Sequence, residues 1–160
     1  MAAAHIPLEK QLIGTDEATI DDKGRLLVSK KKRERLGEKF VMALGPTGCI
    51  VVYTLEAWVK EVDEVMQASS TNLGRQQYSR LLSGHAEDDL SFDKQGRVVV
   101  PQKLRNLASL TEKVVIVGCI DRMEIWAADA WEAYQKNPDG YKRERLETFN
   151  NAKRQMDGKD

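Results

Sequence analysis

An internal duplication is the feature that most constrains the fold of this 160-residue chain. The segment DDKGRLLV at 21–28 returns as DKQGRVVV at 93–100, so an aspartate, a glycine, an arginine and three apolar residues recur 72 positions later. The similarity continues downstream, since YTLEAW at 53–58 matches WAADAW at 126–131. A unit of about forty residues is too short to bury a sufficient core on its own. The two units are therefore expected to share one core.

Within each unit, the pattern predicts short buried strands around a short helix. Ser29 favours a helix N-cap and Pro101 the first position of a helix, so a helix is expected to begin at both places. Gly37 is expected to end the first of these helices. Continuous apolar runs predict three strands per unit: 26–28, 40–44 and 50–53 in the first, and 98–100, 114–117 and 123–126 in the second.

Longer helices are predicted outside these strands. Apolar residues recur at helical spacing along 55–66, and further helices are expected over 72–82 and 129–136. A solvated helix with alternating charges is expected over 141–156.

This order of elements predicts an α+β fold in which both repeats form one β-barrel of approximate two-fold symmetry with flanking helices. The expected parts are an N-terminal extension (1–11), a first repeat (12–58), a helical connector (59–84), a second repeat (85–131) and a C-terminal helical tail (132–160).

Positive charge is concentrated beside the two repeated loops, although the whole chain is neutral, with 25 Lys and Arg residues against 25 Asp and Glu residues. Neutrality excludes a protein whose entire surface is a basic coat for nucleic acid. Residues 23–39 nevertheless carry a local excess of six positive charges, and residues 93–105 an excess of three. Two related basic patches indicate a polyanionic ligand. Taken alone, a charge run is more often only the solvated face of a helix.

Arg25 and Arg97 are the sharpest candidates for contacting such a ligand. A guanidinium bonds phosphate, or the O6 and N7 atoms of guanine, through two parallel hydrogen bonds. The alternative is that each arginine only pairs with its own aspartate and fixes the turn, and both roles can coexist. The candidate DNA-contacting residues are Lys23, Arg25, Lys30, Lys31, Arg33, Lys94, Arg97 and Arg105, and the candidate loop-orienting residues are Asp21, Gly24, Asp93 and Gly96.

The sequence predicts no catalytic residue, no metal site and no cofactor. A hydrolase hypothesis through Ser83 and His85 is weak, because no strand–serine–helix elbow surrounds them. No P-loop or GxGxxG motif is present. Cys49 and Cys119 lie in apolar runs without a CxxC pattern, which favours buried, reduced thiols. No secretory signal or membrane-spanning segment is predicted.

Four segments together resemble the MraZ family, the tandem AbrB-domain transcriptional regulators of bacterial division and cell-wall gene clusters. They are DDKGRLLV (21–28), SRLLSGHA (79–86), DKQGRVVVPQKLR (93–105) and KVVIVGCIDRMEIWAADAW (113–131), and the similarity spans residues 12–136. A doubled DxxxR motif with LLxGHA between its copies is typical of this family. Two positions depart from the pattern. Gln95 stands where the first motif has Lys23, and Ser29 stands where the family usually has proline.

The resemblance implies a swapped-hairpin AbrB-type barrel, binding of double-stranded DNA at short promoter repeats, and a ring-shaped homo-oligomer. It also implies a repressor of the family's own operon, acting in the cytoplasm on the nucleoid, and neither an enzyme nor a membrane protein. Carried over by position, Asp21, Lys23 and Arg25 form the first DNA-contacting motif, and Asp93 and Arg97 form the second.

Two further expectations concern the helices. The surface between subunits is expected on the helix at 55–66 or on the helix at 141–156. The alternative function is an antitoxin-like, AbrB-type protein-interaction module whose charged tail at 141–160 binds a partner protein.

Overall fold

A five-stranded antiparallel sheet and a separate two-stranded ribbon organise the fold. The computed structural model describes residues 5–159. The strands are β1 (Thr15–Thr19), β2 (Arg25–Leu27), β3 (Phe40–Leu44), β4 (Ile50–Thr54), β5 (Arg97–Val99), β6 (Lys113–Gly118) and β7 (Arg122–Ala127). The five-stranded sheet has the order β1-β6-β7-β4-β3, and β2 pairs with β5 to form the ribbon.

The helices begin and end where local sequence signals predict. They are α1 (Lys30–Leu36), α2 (Leu55–Met66), α3 (Leu73–Ser83), α4 (Gln102–Leu107), α5 (Ala128–Lys136) and α6 (Arg143–Met156), with a 3-10 turn at Leu8–Lys10. The Ser29 hydroxyl caps α1 by accepting a hydrogen bond from the Lys32 N–H at 3.3 Å. Gly37 ends the same helix at a φ of 87°, a conformation that glycine adopts without strain. Pro101 is the residue before α4.

The two repeats are joined by strand pairing. In the large sheet, β1 of the first repeat pairs with β6 of the second, and β4 pairs with β7. In the ribbon, β2 pairs with β5 in the register Arg25–Val99, Leu26–Val98 and Leu27–Arg97. The centre of this register is the pair Leu26–Val98, so the repeats are related across it by an approximate two-fold axis. Neither repeat supplies all of its own strand partners, which is why they fold as one unit.

The prediction of a closed barrel is wrong, because both sheets are open. The position in the second repeat that corresponds to β1 is a segment that pairs only at Glu87, through an isolated bridge to Met42 in β3. The five-stranded sheet therefore ends there instead of gaining a sixth strand. The ribbon remains a separate sheet that packs over one face of the large one. The α+β class and the antiparallel pairing are as expected.

Strands β3 and β4 are buried at every residue because both faces of the sheet are covered there. Alternate residues enter two cores. One core lies beneath the ribbon, α1 and α4, and includes Met42, Ile50 and Val52. The other lies beneath the longer helices and includes Ala43, Val51 and Tyr53 among its sheet residues. The ribbon and the long helices thus lie on opposite sides of the molecule.

The helix α6 is not the solvated tail that its charges predict. Its Phe149, Ala152 and Met156 are buried in the second core, and the Phe149 ring lies edge-on to that of Tyr78 in α3, with centroids 6.3 Å apart. The three residues recur at helical spacing, but the dense charge around them conceals this apolar face. Residues 1–4 of the predicted extension and residue 160 of the predicted tail lie outside the described residues.

Strand β1 has no counterpart in the sequence prediction, which places no helix or strand before Asp21. It is an edge strand whose side chains alternate between exposed and half-buried, so it lacks the apolar run that marks the central strands. An ion pair ties it to the first short helix: Lys32 Nζ lies 2.7 Å from Asp16 Oδ2 and also donates to the Ile13 carbonyl oxygen at 3.2 Å. Lys32 is buried, so this cation belongs to the core.

Candidate nucleic-acid interface

The first DxxxR loop, residues 21–25, is held by its own aspartate. One carboxylate oxygen of Asp21 accepts from the backbone N–H groups of Lys23 and Arg25, at 3.0 and 2.8 Å. The other oxygen accepts from the Arg25 Nε at 2.6 Å. The Gly24 N–H donates to the Asp21 carbonyl oxygen at 3.0 Å, and a φ of 80° at Gly24 closes the turn. The loop therefore sets the direction of the arginine side chain.

The second loop, residues 93–97, repeats this network bond for bond. Asp93 accepts from the backbone N–H groups of Gln95 and Arg97, both at 2.9 Å, and from the Arg97 Nε at 3.0 Å. Gly96 has a φ of 82°. The substitution of Gln95 for the lysine of the first loop leaves these bonds intact, because the backbone of that residue makes them.

The terminal nitrogens of both arginines stay available. Each aspartate engages only the Nε side of its guanidinium, and among residues 5–159 no group accepts a hydrogen bond from Nη1 or Nη2 of Arg25 or Arg97. The two side chains are 32% and 30% exposed. An arginine fixed at Nε and free at both Nη atoms is preorganised for end-on, two-point bonding to a phosphate or to guanine.

The aspartates hold this arrangement over a wide pH range. The hydrogen bond from the Arg25 backbone N–H is the main cause that lowers the pKa of Asp21 below its ordinary value of 3.8, and the Arg97 N–H does the same for Asp93. A carboxyl group with a lowered pKa in the folded state contributes its bonds fully above the ordinary value and loses them as the pH falls through the lowered one. Both loops are therefore intact at neutral pH.

Two further arginines brace the loops in a crossed arrangement. The Arg105 guanidinium lies against Gly24 of the first loop, and its Nε donates to the Val100 carbonyl oxygen at 2.9 Å. By the same geometry, Arg33 lies against Gly96 of the second loop and donates to the Val28 carbonyl oxygen at 2.9 Å. Each repeat thus supports the loop of the other. The sequence pattern predicts DNA contact for Arg33 and Arg105, and neither repeat alone carries a signal for their supporting role.

The ribbon presents both arginines on one face. Because side chains alternate along a strand, Arg25 and Leu27 point away from the core while Leu26 points into it. The pairing places Arg25 opposite Val99 and Leu27 opposite Arg97. The outward face of the ribbon therefore carries two arginines on one diagonal and two apolar side chains on the other.

Other basic residues in the positively charged segments 23–39 and 93–105 fall into two groups. Lys23, Lys30, Lys31 and Lys94 are exposed, and Lys30 makes only a weak ion pair with Glu34, at 3.9 Å. In contrast, Lys32 is buried, and Arg35 donates to the Gln11 carbonyl oxygen at 2.8 Å, so these two cations serve the fold. The basic run at 30–35 is consequently less available to a ligand than its charge alone predicts.

Comparison with known proteins identifies the family. A model described as "MraZ protein, putative antitoxin-like" matches residues 12–81 and again 84–155. The chain belongs to the MraZ family. Curated relatives named "Transcriptional regulator MraZ" include those of Caldanaerobacter subterraneus subsp. tengcongensis, 38% identical over 80% of this chain and 89% of the relative, and Ligilactobacillus salivarius, 39% identical over 76% and 85%. The relative from Cutibacterium acnes is 36% identical over 78% and 87%.

MraZ relatives carry the name of a regulator and not of an enzyme, in keeping with the weak hydrolase hypothesis. The Ser83 hydroxyl donates to the Ser79 carbonyl oxygen at 2.7 Å. Burial raises the pKa of both thiols, that of Cys119 to about 12, so neither is a ready nucleophile. Other kinds of site are also absent from the described part of the chain. Within residues 5–159, no group of three or more His, Cys, Asp or Glu side chains could hold a metal ion. No helix described in that range is long and apolar enough to cross a membrane.

Replacing Gly24 with alanine is expected to disturb the first DxxxR loop. The new Cβ would lie 2.8 Å from the guanidinium carbon of Arg105, and alanine would also have to adopt the φ of 80°. Gly37 is the matched control, because its φ is 87° but nothing lies within 4 Å of an added Cβ. Both variants should lose about 1–3 kcal/mol of unfolding free energy, because alanine is strained at a positive φ.

Only Gly24→Ala should also displace the arginine brace and weaken DNA binding per folded molecule. Denaturant unfolding and fluorescence anisotropy with labelled duplex DNA measure the two effects. Equal DNA affinities for Gly24→Ala and Gly37→Ala would contradict a role of the brace in positioning the loop.

Proposed function

We propose that this chain is a sequence-specific, double-stranded DNA-binding transcriptional regulator that represses its own division and cell-wall operon through the two DxxxR loops. The observation that carries the proposal is the outward ribbon face, on which Arg25 and Arg97 are both fixed at Nε while no group among residues 5–159 bonds their terminal nitrogens. The relatives named transcriptional regulators support it.

The ribbon has a shape that suits a DNA groove. The major groove, about 12 Å wide, admits a two-stranded β-ribbon. In this arrangement, Arg25 and Arg97 reach base edges and prefer guanine, which offers two acceptors side by side. The exposed Lys23, Lys30 and Lys94 flank the ribbon and contact phosphates, which adds salt-dependent affinity without sequence preference.

Arg33 and Arg105 are proposed to support the DNA-contacting loops and not to contact DNA themselves. Each donates its Nε to a backbone carbonyl group and packs on a loop glycine, so its main effect is to keep the opposite loop in the geometry that DNA requires. We therefore propose that they are positioning residues. The crossed arrangement also links the two loops, because each is supported by the helix of the other repeat.

Homo-oligomerisation through α2 forms part of the proposal. Its outer stripe of Leu55, Val59, Val62 and Met66 is exposed at helical spacing, whereas the apolar face of α6 is already buried against α3. Exposed apolar patches of this kind mark protein interaction sites. In a ring, several ribbons engage repeated short DNA sites, and linked contacts raise avidity by about 10²–10⁴.

The antitoxin-like alternative receives less support from the fold. It requires the tail at 141–160 to be free to wrap a partner. Phe149, Ala152 and Met156 are instead buried in the second core, so most of this segment already packs within the chain.

The proposed function also implies a location. A regulator that acts on chromosomal DNA would lie in the cytoplasm on the nucleoid.

Unbiased selection of DNA tests the proposed function. The full chain is incubated with a random duplex library at physiological salt, and bound molecules are amplified and sequenced over several rounds. We expect enrichment of short, guanine-containing repeats, protection of such repeats upstream of the chain's own gene, and an oligomeric mass by light scattering. Failure to enrich any sequence, with binding equal for all duplexes, would contradict it.

A further inference from the structure

Resting on the proposed function, we infer that Leu27 and Val99 are specificity residues that contact the C5-methyl groups of thymine in the major groove. Both belong to the ribbon and are among the exposed large apolar residues, at 57% and 53%. Neither is part of the DxxxR motif. Their exposure has no explanation in the fold, since their neighbours Leu26 and Val98 fill the core below.

The ribbon register brings these side chains between the arginines. Leu27 lies opposite Arg97, and Val99 lies opposite Arg25, where directly opposed side chains are about 5 Å apart and diagonal ones about 7–8 Å. Successive bases along a strand are about 3.4 Å apart. The four outward side chains therefore span two or three base pairs, so whatever the arginines contact also meets Leu27 and Val99.

The positive charges around Leu27 and Val99 indicate which partner binds this apolar surface. Arg25 and Arg97 lie on the same face with free Nη atoms, and Lys23 and Lys94 lie exposed in the adjoining loops. Docking two copies of the ribbon face to face would bring these like charges together. A DNA duplex neutralises the charges, and the thymine methyl group is the apolar feature of the major groove.

Removal of the methyl group from DNA provides a test that needs no protein variant. A short duplex enriched from a random library by the wild-type chain is synthesised again with single deoxyuridines in place of thymidines. We expect affinity to fall about fourfold for each methyl group that the ribbon buries, from the transfer free energy of one buried carbon. Fluorescence anisotropy titrations measure this ratio at each position.

Variants then assign the effect to the two side chains. Leu27→Ala and Val99→Ala should each lose discrimination between thymidine and deoxyuridine at the position that its own side chain contacts, and the double variant should lose it at both positions. Leu73→Ala, which truncates an exposed leucine outside the ribbon, should keep the wild-type ratio. Thermal unfolding is expected to be unchanged for all three, because the positions are exposed.

Several results would overturn the inference. Equal wild-type affinity for thymidine and deoxyuridine duplexes would do so and leave arginine-dependent DNA binding standing. The inference would also be overturned if the Leu27→Ala, Val99→Ala double variant still discriminated between thymidine and deoxyuridine duplexes. A loss of oligomer mass in that variant, with discrimination unchanged, would show that a second copy covers the face. Failure to enrich any duplex would remove the inference together with the proposed function.

Discussion

Replacing Arg25 with alanine is expected to abolish most DNA binding while leaving the fold intact. A two-point arginine–guanine contact contributes about 1–3 kcal/mol of discrimination, which corresponds to about 5- to 150-fold in affinity for one loop. In an oligomer the loss is repeated in every subunit. The Arg25–Asp21 pair is partly exposed, so its removal should shift the melting temperature by no more than about 4 °C.

Arg143→Ala is the matched control for this experiment. Arg143 also pairs with a carboxylate four positions away, Glu147, and lies exposed on α6, in the layer opposite the ribbon. Anisotropy with a selected duplex and a thermal melt are run on both variants. A large loss of stability in Arg25→Ala, with unchanged DNA affinity per folded molecule, would show that Arg25 only fixes its turn.

Replacing Gly74 with alanine is expected to destabilise the chain, against the usual preference of helices for alanine. Alanine in place of glycine normally stabilises a helix by up to about 1 kcal/mol. In α3, however, a Cβ at Gly74 would overlap the Met156 backbone nitrogen and lie 2.7 Å from the Gln155 carbonyl carbon. Backbone atoms cannot rotate away, so the two helices must separate. We expect a net loss of about 1–3 kcal/mol of unfolding free energy.

Leu73→Ala is the control here, because it changes an exposed side chain next to Gly74 in the same helix. Denaturant unfolding should separate the two variants clearly. DNA affinity per folded molecule should be unchanged in both, since α6 lies across the sheet from the ribbon. An unchanged or raised stability of Gly74→Ala would indicate that α6 is loosely attached, and would revive the hypothesis of a free C-terminal tail.

Much of the candidate site is predictable because it is local. The hydrogen bonds within the DxxxR loop join residues four or fewer positions apart, and the side chains of Asp21 and Arg25 and the turn at Gly24 supply most of them. Duplication of the motif in the sequence predicts a second identical loop, and the network at Asp93 matches it. The helix at 55–66 is predictable for a similar reason, since its apolar spacing is a local pattern.

The failures all concern partners that lie far apart in the chain. The crossed contacts of Arg33 and Arg105 join residues more than sixty positions apart. Charge dominates the local pattern of α6, but Gly74 and Tyr78 in α3 provide a surface for its buried face.

The sequence alone determined the repeated loops, the boundaries of most helices and the joint folding of the two units, because propensity and spacing act over short distances. Only the tertiary structure decided that the sheets stay open, that Lys32 and Arg35 bond within the fold, and that both arginines face outward on one ribbon. These outcomes depend on strand pairing between the repeats and on which groups remain unpaired after packing, and neither is encoded in any short segment.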